Sequence, residues 1–465
     1  MSEKSAAALL KEKLFISKKS PLLKTEEETL KAAFDFCEGY KKFIDSAKTE
    51  REANEESIRL AKEKGFVPFE YGKTYKAGDK VYFDNRSKAV AFAVIGKENV
   101  EKGVNITAAH IDSPRLDIKQ NPLYEDSDLA LFKTCYYGGV KKYQWTAVPM
   151  ALHGVFAKKD GSVVKVSIGE KDDEPKFIIN DLLPHLAQEQ SKRTLSDGIK
   201  GEELNVLVGS LPFKDDSESS LVKLNILNIL FEKYGVTEED FLSAELCCVP
   251  ALKSFDLGFD RSMIGGYGQD DRVCAYPALM AIMNIDTPDK TAVAVLADKE
   301  ETGSDGNTGL NSDFLRNIIG DIAKMQGADL SLTLRNSKCL SADVNAATDP
   351  TFPEVMDKNN ACYLNRGVCV TKYTGGRGKS STSDASAEYV AEIRAMLDKA
   401  GIAWQMGELG KVDLGGGGTV AKYVAKLGID VVDLGVAVLS MHAPVETTSK
   451  FDVYMCYKAM YEFLK

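Results

Sequence analysis

The feature that most constrains the fold is a pair of almost wholly apolar runs in the second half of the chain, each set among helix-like segments. The runs "TAVAVLAD" (291–298) and "VVDLGVAVL" (431–439) lack regular polar alternation, as strands do when a sheet buries both of their faces. Residues 311–325 and 450–465 repeat apolar positions every three or four residues, which predicts helices. Strands that alternate with helices predict an α/β fold, with a largely parallel sheet covered by helices on both sides.

The first half of the chain has a different pattern. Residues 25–64 predict two helices, the second of which ends at Gly65. The runs "KVYFDN", "AVAFAVIG" and "VNITAAHID" follow, and their β-branched and aromatic residues predict strands. From about 115 to 250, short apolar stretches alternate with polar turns such as "KKDGS". This pattern predicts a β-rich unit, with a helix at "IINDLLPHLAQEQ" (178–190).

Charge and cysteine usage exclude several kinds of partner. The net charge of −10 and the pI near 5.3 lack the basic footprint that nucleic acids and anionic membranes require. Nine cysteines are spaced irregularly and form no C-x-x-C pair, which argues against a disulfide framework. No run approaches the roughly 20 apolar residues of a membrane span, and the first residues lack the apolar core of a signal peptide. We therefore expect a cytoplasmic protein.

Histidine and acidic residues follow several predicted strands, where α/β enzymes keep their sites. These positions are His110, the pair Asp270 and Asp271, the pair Glu300 and Glu301, Asp343, and His442. Two imidazoles and three carboxylates suit a zinc-type dinuclear centre, since zinc takes nitrogen and oxygen ligands. A pair of metal ions also needs one carboxylate that bridges them.

We expect the remaining acidic residues to have different roles. One glutamate of the pair 300–301 would ligate a metal, and the other would take the proton of a metal-activated water molecule. Asp112 lies two residues after His110, and such positions share a face in an extended segment. Asp112 can therefore accept the second imidazole N–H and orient the ring.

Five stretches together resemble the M18 metallo-aminopeptidases, the family that includes aspartyl aminopeptidase. They are "AAHIDSPRLDIK", "DDRVCAYPAL", "VAVLADKEETGS", "SADVNAATDP" and "DLGVAVLSMHAPVE". The resemblance implies two Zn²⁺ per subunit, with Co²⁺ or Mn²⁺ also accepted by such a donor set. It assigns the general base to Glu300 and the bridging role to Asp270 rather than Asp271. The implied metal ligands are His110, Asp270, Glu301, Asp343 and His442.

The same resemblance implies the domain organisation and the assembly. A catalytic domain of the zinc exopeptidase type (1–114 and 251–465), with a mixed, largely parallel sheet between helices, is interrupted by a β-rich dimerisation domain (115–250). Self-association to dimers, and to a tetrahedral assembly of twelve subunits, would restrict entry to short peptides. His185 in "LLPHLA" would reach a neighbouring subunit's active site and stabilise the oxyanion; a third metal ligand and a structural histidine are the alternatives.

Other functions have weaker support in the sequence. In "YTGGRGKSST", Tyr373 stands where a phosphate-binding loop needs glycine, and neither H-E-x-x-H nor G-x-S-x-G occurs. Lys379 in the same stretch either faces an acidic side chain in a specificity pocket or is a loop lysine. We expect an aminopeptidase, with two alternatives: a noncatalytic peptidase-like assembly protein, and a dinuclear hydrolase of N-acyl amino acids.

Overall fold

The computed structural model describes residues 5–16, 19–215 and 217–465, so the first residues of the predicted segment 1–114 lie outside the described part. Its helices, in chain order, are α1 (Ala6–Leu14), α2 (Glu27–Ser46), α3 (Glu50–Glu63), α4 (Leu221–Tyr234), α5 (Gln269–Met283), α6 (Phe314–Met325), α7 (Leu330–Asn336), α8 (Gly376–Lys379), α9 (Ala387–Lys399), α10 (Ala421–Ala425) and α11 (Lys450–Leu464). Within the described residues, no helix is both long enough and apolar enough to cross a bilayer.

The strands of the described residues form three sheets. In chain order they are β1 (Val67–Pro68), β2 (Lys80–Asn85), β3 (Ala89–Val94), β4 (Asn105–His110), β5 (Arg115–Asp126), β6 (Leu129–Tyr137), β7 (Met150–Ala157), β8 (Val163–Ile168), β9 (Asn205–Gly209), β10 (Ala244–Pro250), β11 (Phe255–Leu257), β12 (Met263–Gly266), β13 (Ala292–Ala297), β14 (Lys338–Ser341), β15 (Asn345–Ala346), β16 (Val368–Thr371), β17 (Trp404–Met406), β18 (Asp430–Gly435), β19 (Ala437–Leu439) and β20 (Glu446–Ser449).

The central sheet has nine strands in the order β1-β2-β3-β13-β4-β14-β18-β16-β17. Five of its eight neighbouring pairs are parallel and three are antiparallel, which confirms a mixed, largely parallel sheet. The four adjacent strands β13, β4, β14 and β18 all run in one direction. Their carboxyl ends therefore meet at one edge of the sheet, where functional groups of α/β proteins collect.

Helices cover both faces of this sheet. Helices α2, α5 and α11 pack with one face in a cluster that includes Phe43, Leu279 and Met460. Helices α6 and α10 pack against the other face through residues such as Ile318 and Val424. The helices predicted over 25–64, 311–325 and 450–465 are confirmed, since α2 and α3, α6, and α11 occupy those segments.

A second sheet consists of six strands in the order β8-β7-β10-β5-β6-β9, all paired antiparallel. All six strands come from residues 115–250, and α4 packs against β5, β6 and β9. The third sheet has the order β11-β12-β20-β19-β15. It is connected directly to the central sheet, since only Val436 separates the end of β18 from the start of β19. The run 431–439, predicted as one strand, is therefore two strands in different sheets.

The helix predicted over residues 178–190 is wrong. This stretch contains only short 3-10 turns, Pro184–Leu186 and the start of Gln190–Lys192. Pro184 has no backbone N–H and disfavours helical backbone at the residue before it. Leu182, Leu183 and Leu186 are exposed, so an isolated helix here would bury no apolar face, and such short helices are unstable without packing.

Candidate metal centre

The predicted histidine and acidic residues meet at the edge where the central strands end. His110 is the last residue of β4, Glu300 and Glu301 follow β13 within a few residues, and Asp343 follows β14. Asp270 lies in the first turn of α5, and His442 lies between β19 and β20. The parallel strands, helix α5 and the third sheet thus bring together side chains that are more than 300 residues apart in the chain.

Two groups of potential ligand atoms share Asp270. The first consists of His110, Asp270 and Asp343, and the second of Asp270, Glu301 and His442; within each group the ligand atoms lie within 4.8 Å of one another. His110 Nε2 is 3.2 Å from Asp270 Oδ1, and His442 Nε2 is 3.0 Å from Asp270 Oδ2. One carboxylate therefore presents a different oxygen to each imidazole.

The outer carboxylates complete each group at longer distances. Asp343 Oδ1 is 3.8 Å from His110 Nε2, and Glu301 Oε1 is 3.5 Å from His442 Nε2. Asp271, the alternative to Asp270, belongs to neither group of potential ligands. Its Oδ2 accepts the backbone N–H of His110 at 3.3 Å. The geometry thus distinguishes the two adjacent aspartates.

Asp112 connects His110 to the loop after β13. His110 Nδ1 lies 3.2 Å from Asp112 Oδ1 and 3.0 Å from the carbonyl oxygen of the same residue. The backbone N–H groups of Glu300 and Glu301 donate to the two Asp112 carboxylate oxygens, and the Tyr137 hydroxyl donates to Oδ2 at 2.7 Å. One fully buried carboxylate thereby fixes both an imidazole and the Glu–Glu turn.

The buried carboxylates of the centre repel one another, and burial and this repulsion raise the pKa values of Glu300, Glu301 and Asp343. Burial raises the pKa of Glu300 to about 7, with Asp112 and Asp270 adding to the shift and His110 opposing it. Burial likewise raises the pKa of Glu301 and of Asp343 well above their usual range. Burial opposes protonation of His110, but Asp112 and Asp270 outweigh it and raise the pKa of the imidazole. Bound cations would relieve this crowding of negative charge.

The donor atoms fit a metal ion of the zinc type. His110 Nε2, Asp270 Oδ1 and Glu301 Oε1 are buried and have no hydrogen-bond partner in the described part of the chain. Buried polar atoms are normally satisfied, so each such atom calls for a partner. Imidazole nitrogen and carboxylate oxygen are ligands that zinc accepts, and coordination would satisfy all three atoms.

Sequence reasoning missed Glu446, which positions both sides of the centre. This buried carboxylate accepts the backbone N–H of His442 at 2.8 Å, that of Gln269 at 2.6 Å and that of Asp270 at 3.2 Å. Gly139 was also missed; its carbonyl oxygen is 2.7 Å from His442 Nδ1. The one available signal was an acidic residue four positions after His442, within a strand-like segment.

A cavity of about 500 Å³ opens onto these groups. Its wall includes Glu300, Asp343, Leu409, Lys422, Tyr423 and Met441. His185 is not in this wall, since it lies in the exposed turn Pro184–Leu186. Lys379 is not in it either: its Nζ is 2.7 Å from Asp384 Oδ2 and 4.1 Å from the centroid of the Tyr373 ring, beside a smaller cavity of about 180 Å³.

Comparison with known proteins gives a consistent result at the level of sequence. The family model described as aminopeptidase I zinc metalloprotease (M18) matches residues 43–464. A probable M18 family aminopeptidase 1 of Clostridium acetobutylicum is 52% identical over 439 residues, which cover 93% of this chain and 94% of that protein.

Solved structures give the same result for the fold. The crystal structure of an M18 family aminopeptidase from Thermotoga maritima matches with a TM-score of 0.93 and 45% identity, covering 97% of this chain and 100% of that chain. The structure of the S. cerevisiae mApe1 dodecamer matches with a TM-score of 0.75 and 21% identity, covering 92% and 96%. At that lower identity the likeness concerns the fold alone.

Proposed function

The chain belongs to the M18 family of zinc metalloproteases and is an aminopeptidase; on this premise we propose that it removes N-terminal residues from peptides at a centre of two metal ions. The observation that carries the proposal is the position of Asp270, whose two oxygens lie 3.2 Å and 3.0 Å from the two imidazoles. A carboxylate in this position suits the bridge that a pair of metal ions requires.

Five residues would hold the two ions. His110 and Asp343 would ligate one, Glu301 and His442 the other, and Asp270 both; Zn²⁺ suits the set, and Co²⁺ or Mn²⁺ would also be accepted. When bound, such ions supply Lewis-acid activation of water and of the scissile carbonyl. Asp112 would keep the His110 ring in its ligating orientation, as the partner of the second ring nitrogen does in metal sites.

Glu300 is proposed as the general base. It belongs to neither group of potential ligands, it lines the cavity, and its side chain keeps 16% of its surface exposed. The pKa of Glu300, raised to about 7 by burial, lies in the range that suits proton transfer at neutral pH. Glu300 would take a proton from the attacking water molecule and give it to the leaving amine.

The exopeptidase character would come from a metal ion or an acidic group that holds the free α-amine of the peptide. Asp270, Glu301 and Asp343 line the cavity beside Glu300; ions bound to the first three would offset their charge and could accept the amine as a further ligand. An N-acylated peptide has no free amine. This difference separates the proposed aminopeptidase from a hydrolase of N-acyl amino acids.

We further propose that residues 115–250 form a dimerisation domain inserted into the catalytic domain (1–114 and 251–465). Exposed apolar side chains on α4, among them Leu224, Ile229 and Phe231, support an interface there. His185 of the partner subunit would then enter the active site and stabilise the oxyanion; its exposed turn leaves the side chain free to do so. A dodecamer, as S. cerevisiae mApe1 forms, would be the full assembly.

A hydrolysis panel tests the proposed function. Protein stripped of metal with a chelator, and the same protein restored with zinc, would be offered leucinamide, an unblocked dipeptide and its N-acetylated form. We expect the restored protein to release the N-terminal residue from the first two substrates only, and the stripped protein to release nothing. Turnover of the acetylated form would favour the N-acyl hydrolase, and no turnover by zinc-loaded protein would favour the noncatalytic assembly protein.

A further inference from the structure

The cavity over the metal centre contains one lysine and no arginine among its described lining residues. This lysine is Lys422, whereas four lining residues are carboxylates. A peptide that enters this space brings a positive α-ammonium group, and a short peptide also brings a negative carboxylate at its other end. Bound metal ions would offset the charge of the ligating carboxylates, and Lys422 is the lysine of the lining that can pair with the second group.

The side chain of Lys422 has no hydrogen-bond or ion-pair partner among the described residues, unlike those of the neighbouring lysines. No Asp or Glu oxygen of the described chain forms an ion pair with its Nζ, which lies 5.0 Å from the centroid of the Tyr423 ring. Lys426, one turn later, is bonded to Asn311 Oδ1 at 3.0 Å, and Lys379 is paired with Asp384. The charge of Lys422 is therefore available to a ligand.

The backbone that carries Lys422 is held firmly. Ala421 and Val424 of α10 are buried against the central sheet. The Tyr423 hydroxyl donates to the carbonyl oxygen of Gly303 at 2.6 Å, and Gly303 closely follows the Glu300–Glu301 turn. The position of the lysine is thus fixed relative to the proposed base, while its half-buried side chain can adjust to a ligand.

We infer that Lys422 is a specificity residue that binds a carboxylate of the peptide substrate. The inference rests on the proposed aminopeptidase function and names the substrate class: short peptides that carry a carboxylate within reach of the cavity. Two sources supply that chemistry, the C-terminal carboxylate of a dipeptide and an acidic side chain at the N-terminal residue. A charge-assisted hydrogen bond of this kind contributes enough to change kcat/KM by about tenfold.

The test compares matched substrates on the zinc-loaded, full-length protein. The first arm compares leucyl-glycine with leucyl-glycinamide, and the second compares aspartyl with asparaginyl anilide. We expect wild type to prefer the carboxylate-bearing member of at least one pair by about tenfold in kcat/KM. Lys422→Met should bring that ratio close to one, and Lys422→Arg, which keeps the charge, should preserve most of it.

Lys426→Met provides the matched control, because it removes a lysine next to the same tyrosine but outside the cavity lining. Its ratios should equal those of wild type. The substrate pair whose kcat/KM ratio changes in Lys422→Met identifies the source of the carboxylate. Wild-type ratios retained by Lys422→Met in both arms would overturn the inference, whereas failure of wild type to cleave any of the four substrates would reject the proposed function itself.

Discussion

At the scale of single residues, Asp112 explains how a short stretch organises much of the centre. It orients His110, and it holds the backbone N–H groups of Glu300 and Glu301. Burial disfavours its charged form, but the contact with His110 outweighs burial and lowers the pKa of Asp112. A proposed ligand and the proposed base therefore share one carboxylate, so we expect a displacement of Asp112 to affect metal binding and proton transfer together.

The adjacent glutamates allow a sharp test of the proposed roles. Glu300→Gln removes the group proposed to move the proton but no proposed ligand. We expect zinc content to stay at the wild-type level, while kcat falls by roughly 10²–10⁴-fold, the usual contribution of general acid–base catalysis. Metal analysis and the hydrolysis of leucinamide would measure both quantities.

Glu301→Gln is the matched control, since it makes the same chemical change one residue later. It should lose zinc, because Glu301 belongs to the group around His442. Activity close to wild type in Glu300→Gln, or full zinc content in Glu301→Gln, would contradict the assignment of the pair.

The sequence was sufficient to predict which ligand candidates meet, but not the residues that position them. His110, Glu300 and Asp343 could be found because each follows an apolar run, and the ends of parallel strands converge. Glu446 and Gly139 act through contacts with backbone or ring atoms far away in the chain. Such contacts depend on the turn after β6 and on the third sheet, which no local pattern specifies.

At the scale of elements, a buried histidine joins the six-stranded sheet to helix α3. His153 lies on β7 of the six-stranded sheet, and its Nδ1 is 2.7 Å from Glu52 Oε1 on α3. Its Nε2 is 3.0 Å from Glu170 Oε1, which also receives Lys48 Nζ at 2.7 Å. Two carboxylates on one imidazole favour its protonated form, although burial opposes it, and the pKa of His153 is raised to about 9.

This contact predicts a pH-dependent stability. Since the pKa of His153 is raised above its ordinary value of 6.5, the stabilisation is complete below about pH 6.5 and is lost as the pH rises through about 9. We expect His153→Asn to lower the free energy of unfolding by about 2 kcal/mol near pH 6.5, and by much less at pH 9.5.

Thermal unfolding of both proteins at the two pH values would measure the effect. The difference in Tm should be a few degrees at pH 6.5 and should shrink at pH 9.5. An equal difference at both pH values would show that His153 acts by packing alone.

The elements themselves were predictable where burial and periodicity agree, as in α2, α6, α11 and β13. The prediction failed at residues 178–190, where an apolar pattern lies on the surface around Pro184. It also failed at Val436, where one apolar run passes from the central sheet to the third sheet. A Cβ on Gly435 would lie 1.8 Å from the Asp343 carbonyl oxygen, so the close packing of these two chain segments requires glycine there.

At the scale of the whole molecule, residues 115–250 carry exposed apolar side chains both on α4 and in the connecting segments. Besides those of α4, Leu182, Leu186 and Leu211 are exposed. Large exposed apolar patches often mark interaction surfaces, and these side chains support the proposed dimer interface. The exposed turn that carries His185 belongs to the same part of the chain, as the proposed role of that residue at another subunit requires.

A pair of matched substitutions tests this interface. Leu224 on α4 and Leu332 on α7 are equally exposed, at 42% each. We expect Leu224→Glu to reduce the molar mass in sedimentation experiments and to lower the activity, because the trans histidine would be lost. Leu332→Glu, on the other domain, should leave the mass unchanged; dissociation by both or by neither substitution would contradict the proposed surface.

The central claim is that five distant side chains hold two metal ions around Asp270, and anomalous diffraction at the zinc edge from crystals grown with zinc tests it most directly. We expect two peaks about 3.5–4 Å apart, one between His110 and Asp343 and one between Glu301 and His442, with Asp270 between them. A single peak, or peaks away from Asp270, would contradict it.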